Sequence, residues 1–241
     1  MSLDANAAAT IASNAARVRE RIAHAAAGVG RDPSGVRLVA VSKRFDAEYA
    51  RAAVTAGLTD LGENRVQEAV QKMGVLNAQE YPEVTWHLIG HLQSNKVRKA
   101  SQAFAWIHSV DSVDLLKRLE GAAREADTRP TIMVQLDLAG EVTKHGATVD
   151  NTRRILDAAG SCTAVRVRGL MVLPPWSEDA EFARPFFARL REIRDQFLED
   201  GVDPGLLEEL SMGMSHDLEV AVEEGATIVR VGTAIFGPRP R

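Results

Sequence analysis

A lysine follows a short apolar run near the start of the chain. In the sequence LVAVSK, Lys43 ends a stretch that is typical of a buried strand. Side chains alternate along a strand, which would place Lys43 on the same face as Val39 and Val41. Partial burial disfavours the charged ammonium and favours the neutral amine, which is a nucleophile towards aldehydes. A lysine that reaches solvent beside Asp46 or Glu63 is the alternative.

Two segments near the C-terminus could bind an anion. The first, SMGMS, offers Ser211, Ser215 and the backbone around Met212, and the second offers Gly232 and Thr233. Glycine and hydroxyl residues at strand ends expose backbone N–H groups that bind phosphate in many parallel α/β folds. Either segment alone could be only a tight turn or a helix cap. Together they predict a phosphate site.

Arg230 precedes the second of these segments. By strand alternation it shares a face with Ile228 and Gly232. An inward guanidinium would need an acceptor, such as a pyridine nitrogen, Glu63 or Asp137, whereas an outward one would contact a helix. A lysine, a phosphate cradle and an arginine that face one cavity indicate a site for pyridoxal 5′-phosphate (PLP), because its aldehyde, phosphate and ring nitrogen would each have a partner.

The elements that must position these residues alternate in type along the chain, as in βαβ units of an α/β protein. Strands are predicted at 36–43, 60–64, 85–90, 106–111, 131–138, 165–173, 208–213 and 228–236. Helices are predicted at 47–56, 113–126, 150–159, 179–198 and 217–224, after an amphipathic leading helix closed by Gly28 and Gly30. The pattern predicts a single (β/α)8 barrel domain over residues 1–241, with an extra N-terminal helix. A doubly wound open sheet is the alternative, but no glycine-rich dinucleotide turn follows the first strand.

Composition limits the partners and the compartment. The net charge of −4 gives no overall basic field, so we expect neither nucleic acid nor an anionic membrane as partner. No apolar stretch approaches the ~20 residues of a membrane span. The one cysteine, Cys162, excludes an intrachain disulfide and suits a cytoplasmic protein, which we expect to be a monomer. His87, His91 and His108 come from separate strand ends without an H-E-x-x-H spacing, so we expect no metal.

Several motifs carry a resemblance to a known family. The segments AVSK, GENRVQE, WHLIGHLQSNK, TKHG, RGLM, LSMGMS and VRVGTAIFG, in this order, resemble the pyridoxal phosphate homeostasis proteins, which are related to the barrel domain of alanine racemase. The resemblance implies that Lys43 forms a Schiff base with PLP and that Arg230 faces the ring nitrogen. It further implies that Asn64 and His87 lie near the cofactor. The residues implied to hold the phosphate are Ser211, Ser215, Gly232 and Thr233, and those implied at the barrel mouth are Gln93, Asn95 and Lys96.

The choice between carrier and enzyme depends on the residues that could act as a second base. Racemases of this fold place an opposing tyrosine from a second β domain over the cofactor, whereas this sequence ends with its eighth predicted strand, and Tyr49 and Tyr81 fall in a helix and a loop. We therefore expect a PLP-binding protein, not an enzyme, that buffers or delivers PLP, with PLP-dependent apo-enzymes as recipients. A PLP-dependent amino-acid racemase is the second hypothesis, and a cofactor-free sugar-phosphate isomerase or aldolase is the third. Lys144 could receive or release the cofactor at the rim, unless it is an ordinary solvated lysine.

Overall fold

The eight predicted strands close into one parallel barrel in chain order. In the computed structural model, which describes residues 5–140 and 145–238, each strand is hydrogen-bonded to the next and β8 returns to β1. The strands are β1 (Arg37–Val41), β2 (Asp60–Glu63), β3 (Thr85–Leu88), β4 (Trp106–Val110), β5 (Thr131–Leu136), β6 (Arg166–Val172), β7 (Glu209–Ser211) and β8 (Ile228–Val231). The predicted (β/α)8 barrel is confirmed. Lys144 lies outside the described residues.

Helices surround the barrel and one precedes it. They are α1 (Ala5–Gly28), α2 (Ala47–Thr55), α3 (Val66–Val75), α4 (Val97–Ala103), α5 (Val113–Ala126), α6 (Val149–Ala159), α7 (Arg184–Glu199), α8 (Leu218–Glu223) and α9 (Thr233–Phe236). Helices α3 and α4 were not among the predicted ones. Within the described residues, no helix has both the length and the apolar character that a membrane crossing requires.

All eight predicted strands run past the observed carboxyl ends, by one to five residues, and two of these differences move residues of the predicted site. The strand predicted at 228–236 ends at Val231, because Gly232 turns the chain and Ile235 and Phe236 continue as α9 in the core outside the barrel. The strand predicted at 36–43 ends at Val41, so Lys43 lies in the turn that follows. The first error arises because the apolar run at Thr233–Phe236 is too short to distinguish a helical from a strand periodicity. The second reflects the low predictability of strand boundaries.

Strand alternation separates two apolar cores. Leu38 and Ala40 belong to the large core between the sheet and the helices. Val39 and Ile228 belong to a smaller cluster inside the barrel, which also contains Trp106, Met133 and Met171. Val39 and Ile228 therefore lie on the inward faces, which places the alternate positions of β1 and β8 inside the barrel.

Helix α1 fastens the N-terminal part of the chain to the last elements. It packs on α8 and α9 as well as on α2. Asn14 is buried and its Nδ2 donates to the Ile235 carbonyl at 2.9 Å. Arg21 pairs with Glu219 of α8, and it also donates to the Ser215 carbonyl at 3.2 Å. The helix therefore supports the loop that follows β7 from outside.

Candidate binding site at the carboxyl end of the barrel

The lysine and the two glycine and serine segments lie at the same end of the barrel. All strands are parallel, so their carboxyl ends meet there. Val39 is paired with Arg230 and Ala40 with Val231, which brings the end of β1 beside the loop after β8. A Cβ placed on Gly232 would lie 3.3 Å from the Val41 carbonyl oxygen. The prediction that one barrel mouth gathers these groups is confirmed.

Lys43 is half-buried in the turn that leaves β1. It lines an open cavity of about 390 Å³ together with Asn64 and Glu68. The next residue, Arg44, has a φ of 67°, a left-handed conformation that is uncommon for arginine. Its backbone N–H donates to a carboxylate oxygen of Glu68 at 2.5 Å, which holds this turn. The lysine is therefore presented by a constrained backbone.

A buried ion pair that the sequence interpretation missed lies behind this turn. The Lys72 ammonium of α3 donates to the Glu63 carboxylate at 2.6 Å and to the Ser42 carbonyl at 2.7 Å. The Ser42 hydroxyl donates to the same Glu63 oxygen at 2.6 Å. Burial raises the pKa of the Glu63 carboxyl, while Lys72 lowers it in opposition. The cluster joins the ends of β1 and β2 at the residues that immediately precede Lys43 and Asn64.

Asn64 lies where three cavities of the mouth adjoin. It lines the cavity beside Lys43, a second of about 660 Å³ that Gln93 and Lys96 also line, and a third of about 230 Å³. Asn95 lies in the same short turn as Lys96. Gly90 permits this arrangement, because a Cβ there would be only 2.4 Å from the Asn64 carbonyl oxygen.

Ser215 joins the two predicted phosphate-binding segments. Its hydroxyl oxygen accepts backbone N–H groups from Gly232 and Ala234, both at 3.2 Å. Thr233 is exposed beside them, at the first residue of α9. Met212 is not brought into this group, because its N–H donates to the Ile228 carbonyl at 3.0 Å and its side chain is in the outer core.

Arg230 points into the barrel, as predicted, but its partners differ from those expected. It is 3 % exposed, and it donates to the Ser211 hydroxyl at 2.6 Å and to the Val172 carbonyl at 3.0 Å. The two carboxylates considered for it are engaged elsewhere: Glu63 with Lys72, and Asp137 with the backbone of the turn at 139–140. Burial lowers the pKa of the Arg230 guanidinium to about 10, although Asp217 opposes this.

Ser211 and His87 lie deeper than the other predicted site residues. The Ser211 hydroxyl is fully buried between Arg230 and His108 and is separate from the group around Ser215. His87 is fully buried between His108 and Asp60. Two hydrogen-bonded side chains, Ser211 and His108, therefore separate His87 from Arg230.

Three potential metal ligands meet at the rim in a combination that the sequence did not suggest. Nitrogen or carboxylate atoms of His91, Asp111 and His145 lie within 4.8 Å of one another. The rings of His91 and His145 are stacked 3.4 Å apart at an angle of 8°. Imidazole coordinates zinc through a nitrogen lone pair that lies in the plane of the ring, and two stacked rings direct these lone pairs side by side and not towards a common point. The observed stacking is therefore unsuited to sharing an ion.

The polar groups at this mouth fit the functional groups of PLP. Lys43 supplies an amine at the edge of a cavity, and the Ser215 segment brings hydroxyl and backbone N–H groups next to the end of β1. Arg230 presents a buried cation from the adjacent strand. The donor set thus suits an aldehyde, a phosphate and an acceptor nitrogen.

The fold and this site define a class: parallel (β/α)8 barrels of the alanine racemase type. The sequence profile described as "Alanine racemase, N-terminal domain" matches residues 8–240. The chain belongs to that family and, within it, to the pyridoxal phosphate homeostasis proteins. It is 43 % identical over 232 residues to the pyridoxal phosphate homeostasis protein of Pseudomonas aeruginosa, covering 95 % of this chain and 96 % of that one.

Solved structures agree with this assignment. PipY of Synechococcus elongatus, solved with PLP bound, has a TM-score of 0.82 and 40 % identity over 94 % of this chain and all of that one. The same protein solved without PLP has a TM-score of 0.84. Alanine racemase of Streptomyces coelicolor, at 23 % identity and a TM-score of 0.67, matches 98 % of this chain and 62 % of its own, which shows a shared fold.

Proposed function

We propose that this protein binds PLP at the barrel mouth through Lys43 and acts in PLP homeostasis as a carrier. The proposal rests on the position of half-buried Lys43 beside the loop after β8, where the Gly232 N–H donates to the Ser215 hydroxyl oxygen. The 40 % identical PipY, which has been solved with PLP bound, supports the choice of ligand. Delivery to PLP-dependent apo-enzymes by a cytoplasmic monomer belongs to the same proposal.

The chemistry of attachment requires a neutral amine. An aldehyde condenses with such an amine when the nitrogen forms a C=N bond and the carbonyl oxygen leaves as water with two hydrogens. Lys43 is half-buried at the edge of a cavity, where its amine can meet an aldehyde. The groups around Ser215, Gly232 and Thr233 would hold the phosphate. Arg230, which keeps its protons, would leave the ring nitrogen an acceptor and the ring a weak electron sink, as suits a carrier.

Borohydride reduction followed by peptide mapping tests this proposal. We expect one pyridoxyl label, on the peptide that contains residue 43, and no label in Lys43→Ala. Lys96→Ala is the matched control, because Lys96 is another half-buried lysine at the same mouth and its loss should leave the label in place. A label on Lys96, or an unchanged label in Lys43→Ala, would refute the assignment.

The PLP-loaded protein, assayed before reduction, distinguishes a carrier from a racemase. Tyr49 lies in α2, where it packs on Phe45, and Tyr81 lies in the loop before β3. Both tyrosines are in the kind of element that the sequence predicted. We therefore expect the PLP-loaded protein to leave L-alanine and L-serine optically active. Sustained loss of rotation that Lys43→Ala abolishes would instead establish the racemase.

A further inference from the structure

A chain of hydrogen bonds crosses the barrel interior from the mouth to the opposite end. Arg230 donates to the Ser211 hydroxyl at 2.6 Å, and that oxygen lies 2.9 Å from His108 Nδ1. His108 Nε2 lies 3.0 Å from His87 Nδ1, and His87 Nε2 lies 2.9 Å from a carboxylate oxygen of Asp60. Asp60 is the first residue of β2, whereas Arg230 approaches the last residue of β6. This chain of hydrogen bonds therefore spans the barrel interior.

The two ends of this chain fix its direction. A guanidinium can only donate, so Ser211 accepts from Arg230. An ionised carboxylate can only accept, and the pKa of Asp60 is lowered because hydrogen bonds from His87 and Arg37 outweigh the effect of burial. Arg37 donates to the same Asp60 oxygen at 2.8 Å. His87 must therefore donate through Nε2.

The remaining roles follow if both imidazoles are neutral. His87 Nδ1 then accepts, so His108 must donate through Nε2 and accept through Nδ1 from the Ser211 hydroxyl. Only an imidazolium would break this order. Both rings are fully buried, and burial lowers the pKa of each, strongly so for His108 beside His87 and Arg230.

We infer that Ser211, His108, His87 and Asp60 are positioning residues for Arg230, and that this one-directional chain holds both imidazoles as neutral Nε2–H tautomers. Ser211 is thereby assigned to the arginine, not to the phosphate cradle that Ser215 forms. The consequence for ligand binding rests on the proposed function: the chain keeps the guanidinium aimed at the position of the ring nitrogen.

Nitrogen-15 NMR of the histidines in the ligand-free protein tests the chain directly. We expect two neutral Nε2–H imidazoles at pH 7, assigned with His87→Gln and His108→Gln. An Nδ1–H tautomer or a doubly protonated ring at either position overturns the inference. This readout does not depend on PLP.

Ser211→Ala removes the link between Arg230 and His108. Because the Asp60 end still fixes the direction, we expect His108 to remain an Nε2–H tautomer whose Nδ1 signal shifts on loss of the Ser211 hydrogen bond. Ser211→Thr, which keeps a hydroxyl, should restore the parent Nδ1 signal. Ser109→Ala is the control, because Ser109 is equally buried on the neighbouring position of β4 but donates to the Gly90 carbonyl, outside the chain. If Ser211→Ala leaves the His108 signals at their parent positions, the inference is wrong.

Asp60→Leu tests the other end and does not depend on the folding of the serine variants. The Asp60 side chain is 18 % exposed, so leucine can be accommodated, but it offers His87 no acceptor. We expect the unique Nε2–H form of His87 to be lost. A His87 spectrum identical to that of the parent would overturn the inference.

A last measurement connects the chain to the ligand. Ser211→Ala should raise the dissociation constant of PLP by roughly tenfold, the effect of one charge-assisted hydrogen bond. It should also shift the pH dependence of the visible absorbance of bound PLP, which a loss of packing alone would not do. An unchanged absorbance profile would refute the link to Arg230. If the parent protein shows no label at Lys43, the proposed function fails while the tautomer result stands.

Discussion

The buried pair of Lys72 and Glu63 allows a quantitative prediction about what holds the lysine-bearing turn. The Lys72 side chain is 5 % exposed and Glu63 is fully buried, so Lys72→Met leaves the carboxyl in the interior without its cation. One Glu63 oxygen, Oε2, already has no hydrogen-bond partner among the described residues. Removing one partner of a buried pair typically costs about 3–5 kcal/mol. We expect a loss of this size in the free energy of unfolding.

A second estimate comes from protonation. Without Lys72, burial is opposed only by the Ser42 hydrogen bond, and we expect Glu63 to take up a proton at neutral pH. An unfolded glutamate has a pKa of about 4.3, so keeping it protonated at pH 7 costs about 3.7 kcal/mol at 1.36 kcal/mol per pH unit. The two estimates agree. A loss of this size is a large part of the free energy of unfolding of a typical domain, which is roughly 5–15 kcal/mol.

The sign of the pH dependence follows from the same reasoning. A carboxyl whose folded pKa is raised loses stability as pH rises above its unfolded pKa. The deficit of Lys72→Met should therefore shrink from about 3.7 kcal/mol at pH 7 to about 1 kcal/mol at pH 5. Adding Glu63→Gln should recover most of the loss, because no buried charge remains.

Urea unfolding at pH 5, 6 and 7, followed by tryptophan fluorescence, measures these differences. Lys117→Met on α5 is the control, since Lys117 is exposed and its loss should change the stability by less than about 0.5 kcal/mol. A deficit below about 1 kcal/mol at pH 7, or one that is equal at the three pH values, would refute the reasoning.

Two further predictions concern other parts of the barrel. Gly90→Ala should destabilise the protein by at least about 2 kcal/mol and weaken PLP binding, because its Cβ would lie 2.4 Å from the Asn64 carbonyl oxygen. Its control, Gly121→Ala, lies in open space on α5 and should stabilise the protein by up to about 1 kcal/mol. Thermal unfolding and PLP titration measure both effects, and equal behaviour of the two variants would contradict this prediction. Glu120→Ala should cost about 3 kcal/mol at pH 7, because the carboxylate accepts the backbone N–H groups at 163–165, which outweigh burial and lower its pKa. That stabilisation is present above pH ~4.3 and is lost as the pH falls through the lower folded pKa, so urea unfolding should show a smaller deficit in acid, and a larger one would contradict the assignment.

The sequence predicted the features that depend on local geometry. Strand alternation is a backbone property, and it correctly grouped Ile228 with Arg230 on one face of β8, which the structure shows to be the inward face. The parallel βαβ order then brought Lys43 and Gly232 to one end, because all strand carboxyl ends meet there.

Tertiary contacts were beyond that reasoning. The partner of Glu63 is Lys72, from a helix that the sequence interpretation had not assigned, and the only local signal was its i,i+4 spacing from Glu68. Ser211 and Ser215 look equivalent in SMGMS, yet one is the last residue of β7 and points inward, while the other lies in the loop. Only the end of the strand distinguishes them, and element boundaries are the least predictable part of a fold.

The closure of the barrel through its first and last strands has a consequence for biosynthesis. β1 is hydrogen-bonded to β8, and α1 rests on α8 and α9, which leave the ribosome last among the described elements. Until then, a nascent chain carries Lys43 in the turn after a strand with one open edge, and Gly232 has not yet emerged from the ribosome. On the proposed function, the growing polypeptide cannot capture its cofactor before β8 and the loop that follows it have been made.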